Sequence, residues 1–218
     1  MAQPNPLLVR TASTKPNPFP QPGPLAMMRL RRLLTLAQRS YQRGWHPGTG
    51  GNFSVRESVQ LMWQSPSGVP KGDLQVAQFL PVDIQQAAMI GPAPGKPSDE
   101  TPLHAVFYRL DPQANTVIHG HCPGIIRWAR QAQSFCGQEL QKVFAKANPD
   151  QALDICVLDN TQDMTQLAKQ LASSTWPREP KVLVLRDHGA YAWGREPDEA
   201  FNRLESLEFL CLTQIQQP

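Results

Sequence analysis

The run TVIHGHC, residues 116–122, closes a short apolar stretch with two histidines one residue apart. In an extended strand the side chains of residues i and i+2 point to the same side, so His119 and His121 can reach one ion together. The glycine between them is expected to leave that approach unobstructed. Two further β-rich runs, DICVLD and KVLVL, alternate with segments whose apolar residues recur at helical spacing. Mixed elements in this order predict an α/β fold with helices covering a central sheet.

The helical segments begin with LAMMRLRRLLTLAQRSYQRG from Leu25, where Leu30, Leu33, Leu34 and Ala37 share a face and Gly44 stands where the helix should stop. NFSVRE and VQLMWQ read as short strands, and SPSG after them as a turn. In KPSDETPLHAVFYRL, Leu103, Val106, Phe107 and Leu110 predict a helix with Ser98 and Asp99 as candidate caps. TQDMTQLAKQLA, opening at a Thr161 cap, and PDEAFNRLESLEFLCLTQI also read as helices. Residues 1–24 are rich in proline, which removes backbone donors and favours extended, solvated chain, so they read as a disordered arm outside the fold. Residues 25–218 are then expected to form one domain.

Composition excludes several classes. The net charge is +3 and the pI near 8.8, yet the basic residues are scattered, with no aromatic-interleaved stripe for nucleic acid. Cys122, Cys136, Cys156 and Cys211 make no CxxC pair and no short-spaced ladder, so buried free thiols in a reducing compartment are expected. No secretory signal pattern and no apolar stretch long enough to span a bilayer is present, so the expected location is cytoplasmic, with no membrane partner.

Candidate chemistry lies in several stretches. The loop GWHPGTGGNFS, residues 44–54, is suited to a phosphate or a polyol because glycines bring backbone amides close and Thr49, Asn52 and Ser54 add polar side chains; it is equally a permissive turn. Lys71, after SPSGVP, is either a solvated surface charge or a charge for a phosphate. Glu100 at a helix start either complements the dipole or serves as a catalytic carboxylate beside a metal. His188 ends the KVLVL segment, and three neutral imidazoles with an open fourth position form a catalytic zinc set if His188 folds back onto the pair. Glu139 in GQELQKVF is by default solvated or paired with a neighbour such as Lys142.

In order along the chain, RGWHPGTGGNFSVR, SPSGVPKGDL, KPSDETPLHAVFYRLDPQANTVIHGHC, QELQKVF and DHGAYAWG resemble the class II aldolase/adducin family over roughly residues 28–215. Within that family the tryptophan, proline and double glycine of the first segment resemble the branch that dehydrates methylthioribulose 1-phosphate in methionine salvage. The resemblance implies a class II aldolase-like fold, a central mostly antiparallel β-sheet flanked by helices on both sides. It implies one Zn2+ per subunit held by His119, His121 and His188, and a phosphate site of Thr49, Gly50, Gly51, Asn52, Ser67, Gly68 and Ser98, beside which Lys71 would add charge. The glutamate of KPSxE is the acid/base in the family's aldolases and that of QEL in its dehydratases; this chain has both, Glu100 and Glu139, with Glu139 taken as the principal group. A sugar-phosphate substrate and a homo-oligomer, a tetramer with sites near subunit boundaries, are also implied. The alternative is an aldolase or 4-epimerase using the same metal site. An adducin-like interaction module is the third reading, against which the three retained histidines stand.

Overall fold

The computed structural model describes residues 20–92, 94–144, 148–176 and 179–215. The proline-rich arm expected at residues 1–24 falls mostly outside them, and Pro24 is already the first residue of helix α1, Pro24–Gln42. A proline suits that position because its missing N–H would have no partner there. Ala26, Leu30, Leu33, Leu36, Ala37 and Ser40 form the buried stripe. Leu34, expected on this face, is only partly buried, and Leu36 takes the deeper place. Gly44 adopts φ +75° just after the helix, a left-handed conformation that a glycine enters without a Cβ clash.

The strands are β1 Asn52–Arg56, β2 Leu61–Gln64, β3 Leu80–Asp83, β4 Ala88–Met89, β5 Thr116–Gly120, β6 Cys156–Leu158, β7 Val182–Leu185 and β8 Gly189–Gly194. They form one sheet in the order β4-β3-β2-β1-β5-β8-β7-β6, antiparallel throughout except for the parallel β6–β7 pair. The remaining helices are α2 Thr101–Leu110, α3 Pro123–Trp128, α4 Met164–Ser173 and α5 Pro197–Ile215. Strand alternation sorts the core into two layers. Phe53, Val55, Ile118, Val184 and Ala192 pack with α1, α3 and α5. Met62, Val117, Leu183, Tyr191 and Trp193 pack with α2 and α4 on the other face. The sheet is therefore flanked by helices on both sides, as expected.

Three local expectations are corrected. The N-cap of α2 is Glu100, with no side-chain cap: Ser98 Oγ accepts the Glu100 N–H at 3.2 Å, and Asp99 is drawn off to Lys96 at 2.6 Å. The cap of α4 is Asp163, whose carboxylate accepts the Gln166 N–H at 2.8 Å; Thr161 instead accepts from Asp163 N. The four thiols are free, but only Cys122 and Cys211 are buried, since Cys136 sits in an exposed loop and Cys156 on the edge strand β6. No described helix is long and apolar enough to cross a membrane.

Phe107 anchors the α2 layer. Its ring stacks on Trp193 at 4.6 Å and 11° and lies 5.5 Å from Tyr191. Phe107→Ala is expected to destabilise the fold by about 3–5 kcal/mol through lost burial and the cavity left behind, read as a shift in the urea midpoint at unchanged slope.

Candidate active site

The register of three central strands builds the site. Asn52 on β1 is opposite His119 on β5, and His119 is opposite Tyr191 on β8, so these side chains form a row on the α2 face. His121 follows at the end of β5, and its backbone N–H donates to Trp45 O at 2.8 Å, tying it to the loop before β1. His188 stands in the tight turn between β7 and β8, which pairs Leu185 with Gly189. That hairpin folds His188 back onto the pair. Glu100 reaches the same point from the start of α2.

Glu100, His119, His121 and His188 each offer a ligand atom, and these atoms lie within 4.8 Å of one another. His188 Nε2 is 3.0 Å from Glu100 Oε1, His119 Nε2 is 3.3 Å from Glu100 Oε2, and the two Nε2 atoms of His119 and His121 are 3.0 Å apart. His119 Nδ1 donates to Ala190 O at 3.0 Å, which leaves Nε2 as a lone pair facing the cluster. His188 Nδ1 is 3.1 Å from Asn160 Oδ1, a partner of the kind that orients a metal-bound imidazole through its other nitrogen. Converging ring nitrogens beside a carboxylate, with no lysine or arginine among the four, fit a divalent metal.

Gly120 has a different role from the one expected. Its α-hydrogen side faces away from the cluster, where a Cβ would meet Leu204 at 3.2 Å and His46 at 3.3 Å, because alternate residues of a strand point to opposite faces. The glycine that opens the site is Gly189. A Cβ there would stand 2.4 Å from Gly120 O, so its absence lets β8 approach β5.

Burial alone would raise the Glu100 carboxyl, but the imidazoles of His119 and His188 and the Asn52 amide outweigh it and hold the group well below the usual carboxylate range. Burial pushes His119 down to about 3, so its ring is neutral, the state a metal ligand requires, and burial lowers the neighbouring His46, outside the cluster, to about 3 as well. Tyr191 stacks on His119 at 4.1 Å, and burial together with the nearby Glu100 charge raises its phenol well above the ordinary value.

The small-residue loops lie beside this cluster. Thr49, Gly50 and Gly51 precede β1, and Gly51 takes φ +71° where a Cβ would meet His46 Nδ1 at 2.1 Å. Ser67, Ser98, Glu100, Asn160 and His188 line one concavity of about 350 Å³. Ser67 N–H donates to Lys96 O at 2.8 Å, and Gly68 turns the chain at φ +75°. Lys71 is not a solvated surface charge: it is 2% exposed and its Nζ donates to Thr49 O at 2.8 Å and Val69 O at 2.7 Å, joining the two loops. Burial pushes its amine down to about 8, against a smaller opposing effect of Glu100.

Glu139 stands apart. It begins a 3-10 turn, Glu139–Val143, its side chain is 79% exposed, and it pairs with Lys142 Nζ at 2.6 Å. It lines a groove of about 850 Å³ with Trp45, Leu140, Phe209 and Leu212, and is not among the four clustered ligands. His46, His104, Asn160 and Tyr191 belong to the site's surroundings and carry no isolated sequence signal. His46, His104 and Tyr191 lie within motif-bearing segments while Asn160 follows the β6 run, and only strand register and the β7–β8 turn bring them together.

Known proteins share this architecture. Residues 31–215 fit the model described as Class II Aldolase and Adducin N-terminal domain. The chain belongs to the class II aldolase/adducin family. Among curated members, the methylthioribulose-1-phosphate dehydratase of Klebsiella pneumoniae subsp. pneumoniae is 38% identical over 188 residues, 84% of this chain and 92% of that protein. That of Citrobacter koseri is 36% identical over 198 residues, 87% and 96% of the two chains. Among solved class II aldolase structures, L-fuculose-1-phosphate aldolase from Thermus thermophilus superposes with a TM-score of 0.66 at 21% identity, covering 87% of this chain and 95% of that one. The last likeness concerns the fold.

Proposed function

We propose that this chain dehydrates 5-methylthioribulose 1-phosphate to 2,3-diketo-5-methylthiopentyl 1-phosphate, a step of methionine salvage, as a zinc-dependent cytoplasmic homotetramer. The observation that carries the reading is the similarity to methylthioribulose-1-phosphate dehydratases at 34–39% identity over 80–89% of the chain. The convergent imidazoles and carboxylate support it.

The reaction removes a proton from C3, next to the C2 carbonyl, and hydroxide from C4; the resulting enol ketonises to the diketone. His119, His121 and His188 would hold Zn2+, which when bound acts as a Lewis acid on substrate oxygens. Thr49, Gly50, Gly51, Asn52, Ser67, Gly68 and Ser98 would receive the phosphate, with Lys71 supplying positive charge. Glu100, an ionised acceptor in the cluster, is positioned to orient a substrate hydroxyl or take a proton. Glu139 would be the principal acid/base, returning a proton to the departing C4 oxygen. Its exposure, and the partly exposed Phe209 and Leu212 that share its groove, support its delivery to the site of a neighbouring subunit.

Lys71 gives a pH test. With a free-enzyme value of about 8, the amine loses its charge above that pH while the substrate phosphate stays dianionic. The expected kcat/KM falls above pH 8 and levels off about tenfold or more lower once the amine is neutral. Lys71→Met removes that limb and lowers kcat/KM at pH 7 by about tenfold or more, a charge-assisted contact of roughly 1.5–3 kcal/mol.

The placement of Glu100 inside the cluster also favours the aldolase or 4-epimerase alternative. Turnover of 5-methylthioribulose 1-phosphate, L-fuculose 1-phosphate and L-ribulose 5-phosphate, measured side by side, separates the readings. The expected kcat/KM favours the methylthio substrate by about 10–200-fold, since the competitors lack the apolar thioether end. Preferred cleavage or epimerisation of another sugar phosphate would replace the dehydratase reading.

A further inference from the structure

Behind Glu100, buried polar side chains form a chain into the α2 face: Asn52, His104, Ser54 and Tyr108, none more than 4% exposed. Asn52 Nδ2 donates to Glu100 Oε2 at 2.6 Å and to Ser98 Oγ at 3.1 Å. Asn52 Oδ1 meets His104 Nε2 in a short hydrogen bond. His104 Nδ1 is 2.7 Å from Ser54 Oγ, which is 2.8 Å from the Tyr108 hydroxyl.

The donor and acceptor inventory leaves this chain only one direction. An ionised carboxylate only accepts, so the amide nitrogen of Asn52 must face Glu100 and its oxygen must face His104. That oxygen also only accepts, so His104 Nε2 must carry the proton. Burial pushes His104 down to about 3, so the neutral ring has one N–H and its Nδ1 is a lone pair. Ser54 must then give its single hydrogen to Nδ1, and Tyr108 must give its own to Ser54. The chain of donors from Tyr108 through Ser54, His104 and Asn52 thus runs in one direction and ends on Glu100, with the second Asn52 N–H given to Ser98.

We infer that His104 is a positioning residue: held in its Nε2–H form by Ser54, it fixes the Asn52 amide and so aims the Glu100 carboxylate at the three imidazoles. The inference rests on the reading of that cluster as the reaction centre. Without the His104 donor, Asn52 Oδ1 is buried and unpaired, and the amide can flip to set its oxygen against the carboxylate. The consequence falls on how Glu100 is held, since both Asn52 N–H groups are spent on Glu100 and Ser98, while Thr49, Gly50, Gly51, Ser67 and Gly68 are left in place.

The first arm of the test needs no turnover. Nitrogen-15 shifts of the imidazoles in the full-length zinc-loaded protein should show His104 as the Nε2–H tautomer from pH 5 to 8. An Nδ1–H or doubly protonated ring overturns the inference, whatever substrate the protein takes. The second arm is kinetic. His104→Leu is expected to lower kcat by about 10–100-fold with KM changed less than about threefold. His104→Gln, whose amide can donate to Asn52, should recover most of the loss. In an Asn52→Ala background, His104→Leu should cost nothing further, because the residue acts through that amide. Additive losses, a loss mainly in KM, or no rescue by glutamine overturns it. If His104→Leu does not fold, the glutamine variant and the tautomer still decide. A wild-type protein without dehydratase activity would count against the proposed function, while the tautomer would still decide the role of His104 by itself.

Discussion

His119→Ala is expected to abolish stoichiometric metal binding and to lower turnover by at least about 10³-fold, the equivalent of roughly 4 kcal/mol of transition-state stabilisation. The size follows from its place. His119 is fully buried, its Nδ1 is committed to Ala190 O, its Nε2 faces both His121 and Glu100, and Tyr191 stacks on its ring. Alanine removes a ligand and leaves the carboxylate without one of its two imidazole neighbours. Metal analysis after gel filtration, paired with turnover, checks both parts. Retained metal with near-normal turnover would remove His119 from the centre. Secondary structure should survive, because the β1–β5–β8 ladder is made by backbone groups.

Glu139→Gln is expected to cost about 10²–10⁴-fold in kcat as loss of an acid/base group. Its mixture with His119→Ala should do better than either alone. If each site takes imidazoles from one subunit and Glu139 from the next, oligomers assembled from equal amounts of the two inactive chains have about a quarter of their sites intact. Recovered activity near that fraction, after co-expression of differently tagged chains, is the expected result. No recovery would mean that Glu139 serves its own subunit or none. The placement of Glu139 motivates the test: its carboxylate is paired only with Lys142 among the described contacts and opens into a groove flanked by Phe209 and Leu212.

Much of this arrangement is legible in residue order. The two-residue period places His119 and His121 on one side of β5, and helical spacing places α1, α2, α4 and α5 closely. Other elements hide for physical reasons. β8, GAYAWG, is rich in glycine and alanine, so its β-propensity is weak, yet those small residues let it lie between β5 and β7. β3, LPVD, carries a proline that argues against a strand, which the pairing with β2 and the short β4 accommodates near the sheet edge. His188 can be named as a ligand from the family resemblance, but its return to the pair depends on a tight turn that spacing does not encode. Lys71 reads as an ordinary surface charge because nothing in its neighbours reveals that it bridges two loops through Thr49 O and Val69 O. The role of Glu139 is least legible, since its own chain surrounds it with solvent and Lys142.

The most direct test is to incubate the protein, stripped of metal and then reloaded with one equivalent of Zn2+ per chain, with 5-methylthioribulose 1-phosphate and to follow the product by mass. The expected product is lighter by one water, formed only by the reloaded protein and not by His119→Ala treated in the same way. Fragments from carbon–carbon cleavage, an isomer of unchanged mass, or water loss that persists in the metal-stripped protein would contradict zinc-dependent dehydration.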